Sequence, residues 1–574
     1  FVGFWEDEAF VCGTGVFAEY LRDFNLPKPK NREEAYACFG KFYNMQFDGI
    51  PDTTPFRNVA NASPYTHAYA ANVAAGTFNH FVFALGDRLS GNETGDCMGP
   101  NPPKFAIARG AARQFQKPWR NYQTYYAWQY QESRSSGGMR CITGSRHLLT
   151  PECRYYQYGF SNGPDVGMDL ARQKNTYIYP YICGCGVWSS EANHEELVAY
   201  YDPEEIKTAD PLVVNLRDKK KHMSEMAKIH KHFYDEIVKK RDRGVSVTPV
   251  GIVWDRANGY VPLYFGNQVW DFFPPNELEQ TMWAFNTHVF KPCKQNPYYA
   301  TCAYGDVFDI LTNDASEDFL KTYPVLYPVG DVTIDGVFAA KLQNYVKDGG
   351  TLVLNAALLL KYPGFFPADF LGAKIASGTK TSAGTYSRLT SKIVLEESPY
   401  AYCPLEPAAG TELLAVTADD SETPVITLHR VGKGRVILTA PENMKVKGSL
   451  EKMLNLFDDF MGTLRDDVLA LRVRTEMEYA VNRSKTSWLV YLNNNFGIPP
   501  ATGVFKTPPK TDTSKVAAAR IEVSDSLGGV KKVIDWWSGR ELKFRIEQAA
   551  GGKCAVAEVS LPGGDCAVLE FVMR

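Results

Sequence analysis

The spacing of apolar and polar positions changes twice along the chain. Up to about residue 256, short apolar runs alternate with stretches of helical spacing, which is typical of parallel β/α units. The predicted strands are Phe1–Trp5, Asn79–Leu85, Lys104–Ala108, Gln123–Gln129, Val187–Glu191 and Thr248–Trp254. The predicted helices are Arg109–Phe115, Gly167–Tyr181 and the lysine-rich Lys219–Arg241.

A second pattern follows Cys302. Tyr323–Val329 has the composition of a buried strand, Gly336–Lys347 has amphipathic helical spacing, and Thr351–Asn355 is a further apolar strand. Gly432–Leu438 and Leu450–Met461 continue this order with another strand and a closing helix. The strand–helix–strand order predicts a flavodoxin-like α/β layer.

From about Arg472 the runs become short and are separated by turns rich in glycine and proline, which predicts a small antiparallel β-sandwich. Its predicted strands are Ser487–Leu492, Arg520–Val523, Lys532–Asp535 and Ala567–Val572. The three patterns divide the chain into 1–300, 301–468 and 469–574.

The first region has too few strands for a complete (β/α)8 barrel of the TIM type. The chain opens directly on a strand at Phe1, with no helix or turn before it. We therefore expect a barrel whose first two or three β/α units precede this sequence, or come from another polypeptide.

Net charge and hydropathy limit the classes of binding partner that the sequence favours. A net charge of -3 over 574 residues gives no electrostatic reason to expect nucleic acid or an anionic membrane surface. No apolar run approaches the roughly 20 residues that a membrane span requires. Aromatic residues make up 13% of the chain, which suits either rings that stack on sugars or large aromatic cores.

Cysteines and sequons predict an oxidising, extracytoplasmic location, either secreted or at the cell surface. The count of 12 cysteines is even, and several are close in sequence. The pairs with short separation are Cys12/Cys38, Cys141/Cys153, Cys293/Cys302 and Cys554/Cys566. Three sequons mark Asn61, Asn92 and Asn482 as candidate glycosylation sites, although Pro64 makes the first a poor acceptor.

Acidic residues follow three of the predicted strands, at the positions where a barrel places its reactive groups. Glu8, Glu191 and Asp255 each come at or just beyond a strand end. Glycoside hydrolysis needs two carboxyl groups flanking the bond, one as acid and one as nucleophile or base. The alternative is that Glu6, Asp7 and Glu8 cap the next helix, where the helix dipole favours acids.

Other residues near these strand ends are candidates for substrate binding. Trp5, Trp188 and Trp254 could supply apolar walls beside the carboxyl groups, and Asp255 and Arg113 could contact substrate hydroxyls. A structural pair of Asp255 with Arg256 is the alternative for Asp255. No dinucleotide, phosphate-loop or metal-ligand spacing is present in the sequence, so we predict no cofactor and no metal.

The sequence resembles the β-galactosidases of family forty-two and their uncharacterised relatives, in which a barrel precedes an amidotransferase-like domain and a small β-sandwich. The resemblance lies in a few short segments. They are Phe1-Val-Gly-Phe-Trp-Glu-Asp-Glu8, Ala108-Arg-Gly-Ala-Ala-Arg-Gln114 with Lys117-Pro-Trp119, and Gly163–Glu191.

The resemblance implies specific roles. Such enzymes carry the acid/base glutamate at the end of barrel strand four and the nucleophile at the end of strand seven. If Phe1–Trp5 is strand four, Glu8 is the acid/base with Glu6 as its rival, and Glu191 is the nucleophile of a retaining mechanism. Thr248–Trp254 is then strand eight, a count that holds only if Lys104–Ala108 is an irregular piece and not a full barrel strand.

Two departures from the family pattern qualify this assignment. Asp7 stands where the family has asparagine before the acid/base, and Asn355-Ala-Ala357 replaces the reactive cysteine of an amidotransferase, which predicts a structural second domain.

The function hypothesis is a secreted glycoside hydrolase. The alternative is an inactive glycosidase-like glycoprotein that binds carbohydrate or has a structural role, as a homo-oligomer or within a larger extracellular assembly.

Overall fold

The structure is a computed structural model. It describes residues 3–6, 16–48, 69–73, 78–94, 101–123, 170–190, 199–201, 221–223, 225–258, 272–284, 290–293, 296–302, 304–388, 393–418, 422–444, 454–498, 511–549 and 552–574. Apart from two-stranded pairs, these residues form four sheets, of five, nine, four and six strands, and the five-stranded sheet is the parallel N-terminal one.

The N-terminal part forms a five-stranded parallel sheet in which each strand pairs with the next one along the chain. The strands are β1 (Gly3–Glu6), β2 (Tyr69–Val73), β3 (Leu89–Thr94), β4 (Trp119–Gln123) and β5 (Val187–Ser190). The helices of this part are α1 (Val16–Asp23), α2 (Arg32–Asp48), α3 (Asn79–Ala84), α4 (Asn101–Gln114), α5 (Leu170–Ile182) and α6 (Glu225–His232), which continues as a π-helix over Phe233–Val238. Sequential parallel pairing is the arrangement of a β/α barrel wall, but the described strands do not close into a barrel.

Two predicted strands of this region are helices. Asn79–Leu85 forms α3, and Lys104–Ala108 lies inside α4. Both segments are almost wholly buried, and a buried helix shows the same continuous apolar run as a buried strand, so periodicity cannot separate them. Strands β2 and β3 were not predicted. Strand β4 shares only Gln123 with the predicted strand Gln123–Gln129, whose other residues lie outside the described ones.

The second large sheet has nine strands, in the order β12-β9-β13-β14-β23-β22-β21-β17-β18. Its strands are β9 (Val250–Trp254), β12 (Phe308–Thr312), β13 (Val325–Pro328), β14 (Thr351–Asn355), β17 (Thr385–Arg388), β18 (Ile393–Glu396), β21 (Glu412–Thr417), β22 (Pro424–Val431) and β23 (Gly434–Thr439). The first five strands of this order are parallel to one another. The remaining strands add on antiparallel, from β22 outward.

The placement of β9 corrects the prediction that Thr248–Trp254 is the last barrel strand. Val250–Trp254 pairs with β12 on one side and β13 on the other, so it is a central strand of the nine-stranded sheet. A boundary at residue 300 would therefore cut through this sheet. All five residues of β9 are buried, and a strand buried on both faces has the same pattern in a barrel wall and in a covered parallel sheet.

Helices and caps of this unit agree closely with the sequence. Gly336–Lys347 and Thr351–Asn355 are observed with the predicted bounds. The helices are α7 (Glu277–Ala284), α8 (Glu317–Leu320), α9 (Gly336–Lys347), α10 (Ala356–Lys361), α11 (Ala368–Leu371) and α12 (Asn455–Val468). Asp335 caps α9 by accepting from the backbone of Phe338, a local hydrogen bond that satisfies one of the free donors of the first turn.

The C-terminal part consists of two antiparallel sheets with apolar side chains in one common core. The first sheet has the order β24-β27-β31-β30, and the second β29-β28-β32-β26-β25-β8. The strands are β8 (Val245–Ser246), β24 (Leu471–Thr475), β25 (Glu478–Arg483), β26 (Ser487–Asn493), β27 (Ala517–Ser524), β28 (Val530–Asp535), β29 (Glu541–Leu542), β30 (Arg545–Ala549), β31 (Gly552–Leu561) and β32 (Cys566–Met573). Because β8 precedes β9 in the chain, the connection from the N-terminal part passes through this sheet first.

Short two-stranded pairs complete the described structure. They are β6 (Ala199–Tyr201) with β7 (Lys221–Met223), β10 (Phe290–Cys293) with β11 (Asn296–Cys302), β15 (Ala373–Ile375) with β20 (Leu405–Pro407), and β16 (Lys380–Thr381) with β19 (Ala401–Tyr402).

Helix α4 packs directly against β12 and joins the two parallel sheets. The approach is so close that a Cβ at Gly110 would lie 1.9 Å from the carbonyl oxygen of Ile310, so only glycine fits there. One residue earlier, the buried guanidinium of Arg109 donates to Asp306 at 2.7 and 2.9 Å and to Asp309 at 2.6 Å. Burial alone would lower the pKa of Arg109, but the two carboxylates raise it well above its usual value.

None of the helices in the described ranges combines the length and the apolarity that a membrane crossing requires.

Candidate active site at the carboxyl edge of the five-stranded sheet

The five parallel strands end at one edge of the N-terminal sheet. Their last residues are Glu6, Val73, Thr94, Gln123 and Ser190. In barrel enzymes the loops beyond the carboxyl ends of the strands build the active site, so this edge is the candidate site.

The two predicted catalytic glutamates follow β1 and β5 in the sequence but lie outside the described residues. Glu8 comes two residues after the end of β1, and Glu191 comes directly after β5. Strands β1 and β5 are the outer strands of the five-stranded sheet. The roles of Glu6, Glu8 and Glu191 therefore stay predictions.

Strand pairing changes the register on which those roles rested. Because β1 to β5 are hydrogen-bonded in direct succession, a count that starts with β1 as strand four makes β4 strand seven and β5 strand eight. Phe1–Trp5 as strand four and Val187–Glu191 as strand seven therefore cannot both hold. The count came out one short because β2 and β3 were both missed, while only one strand, the one placed on α3, was counted in their stead.

Strand β4 ends in an amide. Its sequence is Trp-Arg-Asn-Tyr-Gln, and no aspartate or glutamate occurs from Trp119 to Gln131. If β1 is strand four, β4 is the strand from which the resemblance implies the nucleophile, and Gln123 stands at its end. A carboxamide cannot attack an anomeric carbon as a carboxylate does.

The opposite faces of β3 and β4 have different environments. On the helix side, Asn92 hydrogen-bonds to Asn79 of α3 and to the carbonyl of Lys104 in α4. The next position back, Gly91, faces the other side and lies against Arg120 of β4. A Cβ on Gly91 would be 2.2 Å from Cγ of Arg120, so the missing side chain leaves room for this arginine.

Arg120 is 1% exposed, and its guanidinium lies 5.4 Å from the ring centre of Tyr122 two residues further along the same strand. Strand alternation places both side chains on the face opposite the helices. The sequence did not single out Arg120, although a charged residue within a strand is a signal that could have marked it.

The predicted tryptophan walls are not assembled here. The side chain of Trp188 packs on Tyr177 of α5 at 4.8 Å and on His230 of α6 at 5.4 Å between ring centres, so it faces the helices. Trp254 is 7% exposed and lies in the nine-stranded sheet. Trp5 lies in β1, and its side chain is outside the described residues.

Asp255 follows β9 at the point where strand order reverses in the nine-stranded sheet, which is the usual ligand crevice of such sheets. Its carboxylate is 1% exposed and accepts from the backbone of Ala257 at 2.9 Å and of Thr333 at 2.8 Å. The neighbouring Arg256 pairs with Glu33 of α2 and not with Asp255. Asp255 therefore ties two loops together, and the prediction that it lines the barrel mouth is wrong.

Arg113 is also engaged away from the strand edge. Its guanidinium pairs with Asp309 of β12 at 2.5 Å, contacts the hydroxyl of Thr248 and donates to the carbonyl of Ser246 at 2.7 Å. These contacts hold α4 on the second sheet, so a role in substrate binding does not fit its position.

The asparagines of two sequons are interior residues. Asn92 is fully buried, with the contacts given above. Asn482 is 1% exposed, and its amide donates to the carbonyls of Ile182 and Arg243, each at 2.8 Å. A glycan on either nitrogen does not fit the folded structure, whereas Asn61 lies outside the described residues.

The predicted disulfides are also not supported. Six cysteines in the described part of the chain are free thiols: Cys38, Cys183, Cys185, Cys403, Cys554 and Cys566. Cys554 and Cys566 lie on β31 and β32, which belong to different sheets. Cys302 pairs in register with Phe290, three residues before Cys293, and that offset of about 10 Å along the hairpin exceeds disulfide reach. Cys141 and Cys153 lie outside the described residues.

The fold is that of a glycosidase-type α/β protein, and it resembles the family forty-two β-galactosidases in structure. Gan42B, a GH42 β-galactosidase from G. stearothermophilus, superposes with a TM-score of 0.51 at 12% identity, over 95% of this chain and 69% of that one. The cold-adapted β-galactosidase from Rahnella sp. R3 gives a TM-score of 0.51 at 11% identity, over 94% of this chain and 68% of that one. No model of a protein family matches the chain, and no curated protein matches it.

Proposed function

We propose that the protein is a glycoside hydrolase that acts on a carbohydrate at the carboxyl edge of the five-stranded sheet. The observation that supports this most is the parallel pairing of β1 through β5, which brings the segments before Glu8 and Glu191 to the same edge. Acid-assisted cleavage of a glycosidic bond further requires the two carboxyl groups to lie about 5–9.5 Å apart, so the proposal requires the residues after β1 and β5 to bring the two acids toward each other.

In this proposal Glu191 is one member of the carboxyl pair, and Glu8, with Glu6 as its rival, is the other. The pair comes from strands four and eight on the corrected count, not from four and seven. Whether the products keep or invert the anomeric configuration then depends on the separation of the carboxyl groups, about 5 Å for retention and 6.5 Å or more for inversion.

The test uses p-nitrophenyl β-galactoside as probe, because the two structures compared above are those of β-galactosidases. We expect Glu191→Gln to lower kcat by at least about a hundredfold, the scale of a lost acid–base or nucleophilic group. Glu195→Gln, which removes an acid four residues further along the same segment, is the matched control and should keep its activity. Full activity in Glu191→Gln would refute the assignment.

A second candidate function is carbohydrate binding without hydrolysis, and Gln123 favours it. If strand seven must supply the nucleophile, the native chain binds galactosides but does not turn them over, and Gln123→Glu gains activity. If Glu191 already serves, Gln123→Glu brings no gain. Equilibrium binding of a galactoside, measured beside turnover in both variants, separates the two candidates.

Location and assembly stay proposals. The extracellular location depended on sequons and disulfides, and its support is weaker now that Asn92 and Asn482 are buried and six cysteines are free thiols. A carbohydrate partner follows from the proposed activity, and homo-oligomerisation remains a prediction.

A further inference from the structure

Glu478 of β25 is a buried carboxyl where the three parts of the protein meet. Glu478 is 3% exposed and lies in the six-stranded C-terminal sheet. Oε2 accepts from the amide of Asn493 at 2.8 Å and from that of Asn495 at 3.3 Å. The other oxygen, Oε1, has a different environment.

Two acceptor atoms at this place lack a donor among the residues that the structure describes. They are Oε1 of Glu478 and Oδ1 of Asn493. The hydroxyl of Tyr179 lies between Glu478 and Oδ2 of Asp306, which is 3.3 Å away, and its single proton can serve only one of the two carboxyl groups at a time. A buried carboxylate oxygen left without a donor is costly, and a proton on Glu478 removes the charge that makes it so.

The surrounding ionisable groups also favour the protonated form of Glu478. The ionisable groups that face Glu478 come from four segments: Asp306, Tyr179, Cys183, Tyr491 and Cys566. Burial raises the pKa of the two tyrosines and the two cysteines, which keeps them neutral. Nearby cations are engaged elsewhere, Arg109 with Asp306 and Lys174 with Asp565. Burial first, and the charge of Asp306 in addition, raise the pKa of Glu478 to about 7.

Asp306 and Tyr179, which face Glu478, also connect the nine-stranded sheet and the N-terminal helix α5 to the C-terminal sheets. The backbone of Asp306, which precedes β12, donates to the carbonyl of Tyr479 in β25 at 2.7 Å. Tyr179 of α5 stacks on Tyr491 of β26 with ring centres 4.9 Å apart and planes 7° apart. An ionised Glu478 would place a second negative charge beside Asp306 within this contact, where Arg109 is already paired with Asp306 and Asp309.

We propose that Glu478 carries a proton in the folded protein and that losing this proton loosens the C-terminal sheets from helices α4 and α5. Glu478 is then the titrating group of a pH-sensitive latch. The latch is closed most firmly in acidic solution and opens more often as the pH rises toward neutrality.

The sign follows from proton linkage. In the opened state Glu478 regains its ordinary pKa near 4.5, so opening releases a proton between that value and neutrality. The opening equilibrium constant should therefore rise about tenfold per pH unit between about 5 and 7 and level off above.

Hydrogen exchange of the intact protein, followed by mass spectrometry from pH 5 to 9, measures this opening in peptides from α5 and β25. After correction for intrinsic exchange, we expect the tenfold step per unit in the native chain and its absence in Glu478→Gln, which keeps the shape but cannot ionise. Glu476→Gln, an exposed acid two residues earlier, should behave as the native chain.

An identical pH dependence in Glu478→Gln would overturn the proposal. If Glu478→Gln does not fold, infrared difference spectra of the native chain decide instead. A protonated carboxyl band that is present at pH 6 and lost by pH 8.5 supports the latch, and a carboxylate at both pH values refutes it.

Discussion

Arg109 is the residue whose loss should most weaken the docking of α4 on the nine-stranded sheet. Its guanidinium makes three hydrogen bonds to two buried carboxylates and a fourth, at 2.9 Å, to the carbonyl of Phe308. The substitution Arg109→Met keeps an apolar side chain of similar length and removes the charge.

The two carboxylates are not equally affected. Asp309 keeps Arg113 at 2.5 Å and the hydroxyls of Thr248 and Tyr323, each at 2.9 Å. Its pKa, which burial raises, is brought below its usual value by Arg113 and Arg109.

Asp306 would be left with much weaker partners. Only the hydroxyl of Tyr179 at 3.3 Å and the thiol of Cys183 at 3.2 Å would still face its carboxylate in the described structure. Breaking a buried ion pair by removing one partner costs about 3–5 kcal/mol. We expect Arg109→Met to destabilise the protein by this amount, mostly through Asp306.

Urea unfolding followed by tryptophan fluorescence measures the loss, with hydrogen exchange in α4 to identify the transition, because a chain of several domains need not unfold in one step. Arg22→Met removes a largely exposed arginine and serves as control, with no change expected. In a double-mutant cycle, Asp306→Asn should recover part of the loss in the Arg109→Met background. A loss below about 1 kcal/mol, or a double variant no more stable than Arg109→Met, would contradict the reasoning.

Two further predictions concern packing and pH. Gly110→Ala forces a Cβ against the carbonyl of Ile310 and should lower the free energy of unfolding, measured by thermal unfolding, by at least about 1–3 kcal/mol. Gly462→Ala is the control: it lies in a helix with nothing within 4 Å of the new Cβ, so it should be neutral or stabilising by up to about 1 kcal/mol. Burial lowers the pKa of His80 to about 4, so its neutral form gives stability that is lost as pH falls from about 6.5 to 4, up to about 3 kcal/mol. His80→Leu should flatten this part of the stability curve, and an unchanged curve would exclude His80 as its source.

Elements with a clear local pattern could be predicted from the sequence. Gly336–Lys347 has helical spacing and Asp335 to cap it, and both appear in the structure as expected. Three of the predicted C-terminal strands, Ser487–Leu492, Lys532–Asp535 and Ala567–Val572, were also found within two residues. Here each segment's own spacing and turns fix its conformation, so no knowledge of distant contacts is needed.

The candidate site could be predicted only in part. Strand β5, which ends directly before Glu191 in the sequence, was predicted and found. The number of strands between β1 and β5 was not, because β2 and β3 were missed and the buried helix α3 has the apolar run of a strand.

By itself, the sequence determined that this is a chain of parallel β/α units followed by short antiparallel strands. It also placed acids directly after the segments that became β1 and β5. Only the tertiary structure decided that Val250–Trp254 belongs to the nine-stranded sheet, that Asn92 is interior, and that an amide ends the fourth strand of the N-terminal sheet. The physical reason is that apolar spacing reports how a segment is buried, whereas its pairing partner is set by hydrogen bonds and contacts with residues far away in the chain.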